Sequence, residues 1–338
     1  MPYRFKFDES VKAGFRRIVR EQLEIAVAQL SSDPATDLAI HESRKALKRL
    51  RALIRCCAPA LGTKAARQHN AAIRDIARRM SSRRDFDVAH QTLAQLEAHF
   101  GADAVPILQP LKAHLATRGA NTSETLAIAD RDEIVLMLQR QVKRLAKAQV
   151  KGRGYDHAIA GIEAHYRKGQ NALKAALAQP TDDALHELRK SVQTHWRHMA
   201  LLSRAWPDEF AARVTAAREL SQLLGDDHDI AMLKAMAGGL KKAERAAIYS
   251  LCETRQAEIR AAYSSRARRL YAEPAPAFGR RMAAIWNAGR RIKPMDAGID
   301  IQAASTAGPS AIVLDATSDE APQLAAKTLA TSVSQRRA

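Results

Sequence analysis

Apolar residues recur every three or four positions through most of the chain, which is the period of an amphipathic α-helix. The period predicts helices over 8–30, 41–57, 64–79, 106–117 and 128–149, with a further one carried by Val88, Leu93, Leu96 and Phe100. Its interruptions fall at 31–34, at Pro59 and Gly62, at 81–85 and at 119–125. These stretches hold the residues that end helices or favour turns. A Lys-Gly-Arg-Gly linker at 151–154 follows, and the pattern then starts again. Helices are expected over 155–178, 184–202 and 210–224, with Gly225 as a stop and a new helix through Ile230, Leu233 and Met236. Two more are expected over 241–271 and 278–291. From 296 to 338 the period fades into Ala, Ser, Thr, Asp and Gly, and that stretch reads as a disordered tail.

The polar positions are more informative than the apolar ones. In the helix that holds 41–55, His41, Arg44, Lys45, Lys48 and Arg55 share a face, while Ile40, Leu47, Leu50 and Ile54 form the opposite stripe. Arg49 and Arg51 add to the same basic run, and Glu42 is its single acid. Like charges one turn apart cost about 0.2–0.5 kcal/mol per pair, so solvated faces normally mix signs. Here they do not. The next helix contributes Arg67, Arg74 and Arg78, and Arg84 follows at its end. Cations converging from neighbouring helices make a groove for a polyanion.

This arrangement occurs twice. HESRK at 41–45 returns as HELRK at 186–190, Arg74-Asp75-Ile76 as Arg218-Glu219-Leu220, and Arg84-Asp85 as His228-Asp229. All three lie at an offset of about 145 residues. The chain therefore reads as a duplicated helical module, one copy over 8–150 and the other over 155–293.

Charge agrees with that picture. The 338 residues carry a formal net charge of +18, so nucleic acid, anionic membrane and inorganic phosphate polymers are the partner classes to weigh. Aromatic residues are only 5% of the chain, and helix formers dominate, which supports an all-α fold. Cys56, Cys57 and Cys252 have neither metal-ligand spacing nor a disulfide count, and read as small core residues. No signal peptide or membrane-spanning run is visible, so a cytoplasmic location without membrane contact is expected. A histidine heads each basic column. Beside an anion its pKa should rise, adding a charge and a donor.

The motif HxxRKxxKRLR followed by RxxxRDxxV, duplicated and helical, resembles the CHAD family, the conserved histidine α-helical domains. In the first copy His41, Arg44, Lys45, Lys48, Arg49, Arg51, Arg55, Asn70, Arg74, Asp75, Arg78, Ser81, Arg84 and Asp85 stand at the family's positions. In the second, His186, Arg189 and Lys190, then His195-Trp196 and the LLGDDHD run containing His228 do so, and the second column holds His186, Arg189, Lys190 and Arg197. The resemblance implies two pseudo-twofold-related bundles of four-helix type, with both columns facing a central groove or pore. It also implies inorganic polyphosphate as the ligand, no cofactor, and association with polyphosphate granules. Gln193, Thr194 and Ala200 stand where the family favours cations, so the second column should be the weaker.

Two other readings compete. His228-Asp229 is similar to the signature of HD-type metal-dependent phosphohydrolases, although the matching pair in the first copy is Arg84-Asp85 and arginine is not a metal ligand. A non-specific nucleic-acid binder would also use cations, but base contacts need aromatic platforms. Trp196, Trp206 and Trp286 lie in helical patterns and read as core.

Overall fold

Ser10 sets where the first helix begins. Its backbone is extended and its hydroxyl accepts from the Ala13 N–H at 3.2 Å, so α1 spans Val11–Leu30 rather than starting at 8. The same device opens two further helices. Thr36 accepts from Ala39 N at the head of α2 (Asp37–Cys56), and Thr181 accepts from Ala184 N at the head of α9 (Asp182–Leu202). These two helices carry the two copies of the basic motif, and they are capped at corresponding positions.

The structure, a computed structural model, describes residues 3–31, 36–80, 84–119, 128–152 and 154–292, all within the unit Met1–Ile299. The tail expected from 296, the breaks at 32–35 and 81–83, the polar loop at 120–127 and Arg153 of the linker lie outside the described residues. Among the described residues no strand occurs, as an all-α fold requires. After α2 come a single turn, α3 (Ala58–Leu61), then α4 (Thr63–Arg79), α5 (Arg84–Phe100), α6 (Ala104–Gly119) and α7 (Ile128–Ala146). The second half holds α8 (Asp156–Ala178), α9, α10 (Pro207–Met236), α11 (Lys242–Leu270) and α12 (Ala275–Arg291).

One predicted boundary is wrong. The two helices expected on either side of Gly225 are a single one, α10. Gly225 is buried in its middle, and an added Cβ would lie 3.0 Å from Nη2 of Arg189. The residue gives α9 room to bring a guanidinium onto α10, and the helix tolerates the glycine at a cost of about 1 kcal/mol. The two helices run antiparallel in register: His186 meets His228, Arg189 meets Gly225, and Trp196 meets Arg218.

Two apolar centres hold the helices. At one, where α1 packs on α2 and α2 on α8 and α9, Phe15, Ile18 and Leu23 of α1, Leu47, Leu50, Leu53 and Ile54 of α2, and Ile162, Leu188 and Leu201 from α8 and α9 are all buried. Here α8 crosses the end of α2 so closely that a Cβ on Gly161 would collide with the carbonyl oxygen of Cys56. The residues before α1 are part of this centre. Phe5 N–H donates to the Leu201 carbonyl at 2.9 Å, and Phe5 sits edge-on to Tyr155 and Trp286. The other centre joins α5, α6, the end of α10 and α11 through Leu93, Leu96, Leu108, Leu111, Ile230, Leu233 and Ile248. Cys56, Cys57 and Cys252 are free and buried, as expected. Of the tryptophans, only Trp286 is core: Trp206 is 54% exposed and Trp196 is half-buried.

Candidate anion-binding site

The apolar stripe of α2 turns inward, so its cations are placed along the junctions with α4 and α9. Their surroundings differ. His41 is exposed near the start. Nη1 of Arg44 donates to the carbonyls of Ala77 at 3.1 Å and Met80 at 3.0 Å, the last acceptors of α4. Part of this guanidinium therefore closes a neighbouring helix. Lys45 pairs with Glu42 at 2.8 Å, and Lys48 is half-buried beside it. Nε of Arg51 donates to Oδ1 of Asn70 on α4 at 3.1 Å, and Nη1 of Arg55 reaches α9 to donate to Oγ1 of Thr194 at 2.9 Å. Thr194 was expected to weaken the second column, and here it receives an arginine of the first. Arg74 and Arg78 are exposed on α4 and share Asp75 at 3.0 and 3.9 Å. The side chain of Arg84 lies outside the described residues.

The second column forms on α9. Arg189 lies 3.8 Å from Asp229, and Lys190 pairs with Glu187 at 2.6 Å. The rings of His186 and His228 have centroids 4.7 Å apart, and Nδ1 of His186 is buried with no hydrogen-bond partner among the described residues. Burial first, then Lys190 and His228, push the His186 pKa down to about 4. His228 is lowered as well, by burial and then by Arg189. Both imidazoles are neutral at pH 7 without an anion beside them.

Deeper in, Arg197 is only 7% exposed. Its guanidinium lies 4.1 Å from the centroid of Trp196, its Nη1 donates to the Gln193 carbonyl at 2.6 Å, and its Nε is buried without a partner among the described residues. Arg218 on α10 lies over the same indole, at 4.8 Å. Burial, opposed by Tyr3 and reinforced by Arg49, Arg218 and Arg55, pushes the Arg197 pKa down to about 9. Arg51 falls to about 10 through burial and then Arg55, Arg74 and Arg78. Arg49, Arg55 and Arg218 are lowered too, each mainly by burial. A guanidinium stays charged at such values, so these shifts express a cost of keeping five cations close together and half-desolvated. An anion entering among them would relieve it.

Arg218, which the structure brings beside Arg197, was not among the residues expected at the site, although it is the repeat counterpart of Arg74 on the helix next to the first column. Trp196 was missed because a tryptophan in a helical pattern reads as core.

The GDDHD run builds a different set of contacts from a metal centre. Asp227 is 2.9 Å from Arg260, Asp226 accepts from Gln222 at 2.8 Å, and Asp229 and His228 face Arg189 and His186. Among the described residues no group of three or more His, Cys, Asp or Glu side chains is placed to hold a metal ion. No described helix is long and apolar enough to cross a membrane. Compared with known proteins, residues 17–238 match the family model described as the CHAD domain. No curated protein matches the chain.

Proposed function

The chain belongs to the CHAD family, and on that footing we propose that it binds inorganic polyphosphate, without cleaving it, along the cations of α2, α4 and α9. The observation that carries this reading is the convergence of arginines from three helices: Arg55 of α2 donates to Thr194 of α9, and Arg197 of α9 and Arg218 of α10 lie over the same indole of Trp196. The ligand that suits it is a flexible chain with a charge on every unit. Arginines supply forked donors to the phosphoryl oxygens, and the mobile lysines Lys45 and Lys48 supply point charges at the rim. Such a protein would collect on cytoplasmic polyphosphate granules.

Long-chain polyphosphate binding measured across salt concentrations tests this. Affinity should fall steeply as salt rises, because bound cations release counterions. Replacing Lys45, Lys48 and Arg78 together by Gln should weaken binding at least tenfold and reduce the salt slope by roughly one per cation removed. Lys45 and Arg78 pair with carboxylates of their own helices, Glu42 and Asp75, so the helical circular dichroism should not change. Undiminished affinity in this variant would defeat the assignment of the site. Release of orthophosphate by the wild-type protein with Mg²⁺ or Mn²⁺ would defeat the non-cleaving reading.

A further inference from the structure

A cleft of about 440 Å³ opens between α1 and α7, and none of the residues lining it belongs to the basic columns. Ala13, Arg16, Arg17 and Arg20 of α1 line it from one side, and Val142 and Ala146 of α7 from the other. The four α1 residues stand three, four and seven positions apart and so share a face, as Val142 and Ala146 do one turn apart. The two helices pack on each other, but here both offer short side chains. Ala13 and Ala146 are exposed and Val142 is half-buried, so the space that larger residues would fill stays open to solvent. Its volume falls within the roughly 300–1,000 Å³ of small-molecule sites, which are mostly apolar with a few placed polar groups.

The three arginines differ in what they hold. Arg17 donates to Glu9 at 2.6 Å, to Glu21 at 3.1 Å and to the Arg4 carbonyl at 2.9 Å. It ties the chain before α1 to the helix, and its charge is already matched. Arg16 is different: its Nε is buried with no hydrogen-bond partner among the described residues, while the residue as a whole is half-exposed. Arg20 has a side chain 65% exposed and reaches Glu24, equally exposed, at 3.9 Å. Two guanidiniums one turn apart on one face repel each other, and no carboxylate is among the residues lining the cleft. An oxyanion placed between them relieves that repulsion, and its paired oxygens match the donor fork of a guanidinium.

We propose that the cleft between α1 and α7 binds a small amphiphilic anion, an alkyl or acyl chain ending in a phosphate or a carboxylate. The head group lies on Arg16 and Arg20, and the apolar body lies against Ala13, Val142 and Ala146. This site goes beyond the polyphosphate reading and does not depend on it. Seating the body removes apolar surface of both partners from water, a gain that an inorganic phosphate chain cannot make because it has no apolar part. The head group alone keeps its hydration, and the body alone leaves the guanidiniums without an acceptor. Both halves are needed in one molecule.

Isothermal titration calorimetry of the full chain with octanoate, octyl phosphate, 1-octanol and inorganic phosphate tests this, in the wild type, R16Q and A146W. The wild type is expected to bind one octyl anion per chain, roughly tenfold or more tighter than 1-octanol or inorganic phosphate. The tighter of octanoate and octyl phosphate names the head group. R16Q should weaken the octyl anions by roughly tenfold and leave 1-octanol unchanged, since it removes a charged donor and no apolar surface. A146W fills the cleft and should weaken both octyl anions by a similar factor. Should A146W fail to fold, R16Q alone decides, since Arg16 is half-exposed. Absence of saturable binding to the wild type, or undiminished affinity in either folded variant, would overturn the site. Displacement of the octyl anion by long-chain polyphosphate would also overturn it, by making the cleft part of the polyphosphate surface. A chain that binds the octyl anion but no polyphosphate would defeat only the earlier reading.

Discussion

Arg44 belongs to the basic column by its spacing, yet its Nη1 holds the last carbonyls of α4. Both roles fit one side chain, because a guanidinium has five donors and the two carbonyls engage one nitrogen. A neutral replacement would remove both of these contacts between α2 and the end of α4. Arg44→Gln is therefore expected to destabilise the fold by about 1–3 kcal/mol, read as a lower urea midpoint. Lys48→Gln, on the same face, should leave the midpoint within about 0.5 kcal/mol. Equal midpoints for both variants would show that the contact contributes nothing to stability. Arg55 is a similar case: it closes the gap between α2 and α9 by donating to Thr194, a residue whose lack of charge looked like a loss in the sequence. Sequence spacing places a side chain on a face, but it does not say which neighbour that face meets.

Helices α8 and α9 hold three further histidines against neighbouring helices, two of them under the charge of Arg55. His198 donates from Nε2 to the Ala52 carbonyl at 3.0 Å, His165 lies against its ring, and His195 sits among Tyr166, Tyr271 and Phe278. Burial, then the charge of Arg213, holds His195 at about 3; burial, then Arg55, holds His165 at about 4; His198 is well below its ordinary value for the same first reason. All three are lowered, so the folded state keeps them neutral while the unfolded chain takes up protons below its value of about 6.5. Their contribution is complete above that pH and is lost as pH falls toward the folded values. Each can remove up to about 1.4 kcal/mol of stability per pH unit across that window. His195→Phe, placed among aromatic rings, should reduce the loss in urea midpoint between pH 7 and pH 5, and an unchanged loss would contradict the account. Most helices were legible because α1, α2, α4, α8 and α9 each bury one stripe and expose another. The single long α10 was not, since glycine ends helices more often than it makes room for an arginine. What the spacing could not supply was the pairing of elements, and so Arg218 and Trp196 were placed in a repeat and a core rather than together.

At the scale of the molecule, α10 links the two apolar centres: Phe210 and Val214 near its start and Ile230 and Leu233 near its end are all buried. Arg218 and His228 stand ten residues apart on this one continuous helix and meet Trp196 and His186, ten residues apart on α9. At 1.5 Å per residue that separation is about 15 Å, and neither helix can shorten it. The pair therefore works as a ruler. A phosphate chain shorter than about 15 Å can engage the arginine end or the histidine end but not both, whereas a longer one spans them and gains the advantage of a second contact already at hand. Affinity per phosphate should then rise in a step at the length that first bridges the two ends, and titration with polyphosphates of defined length would locate it. A smooth rise with length in the wild type, with no step for His228→Ala to remove, would mean that the two ends act without regard to their spacing.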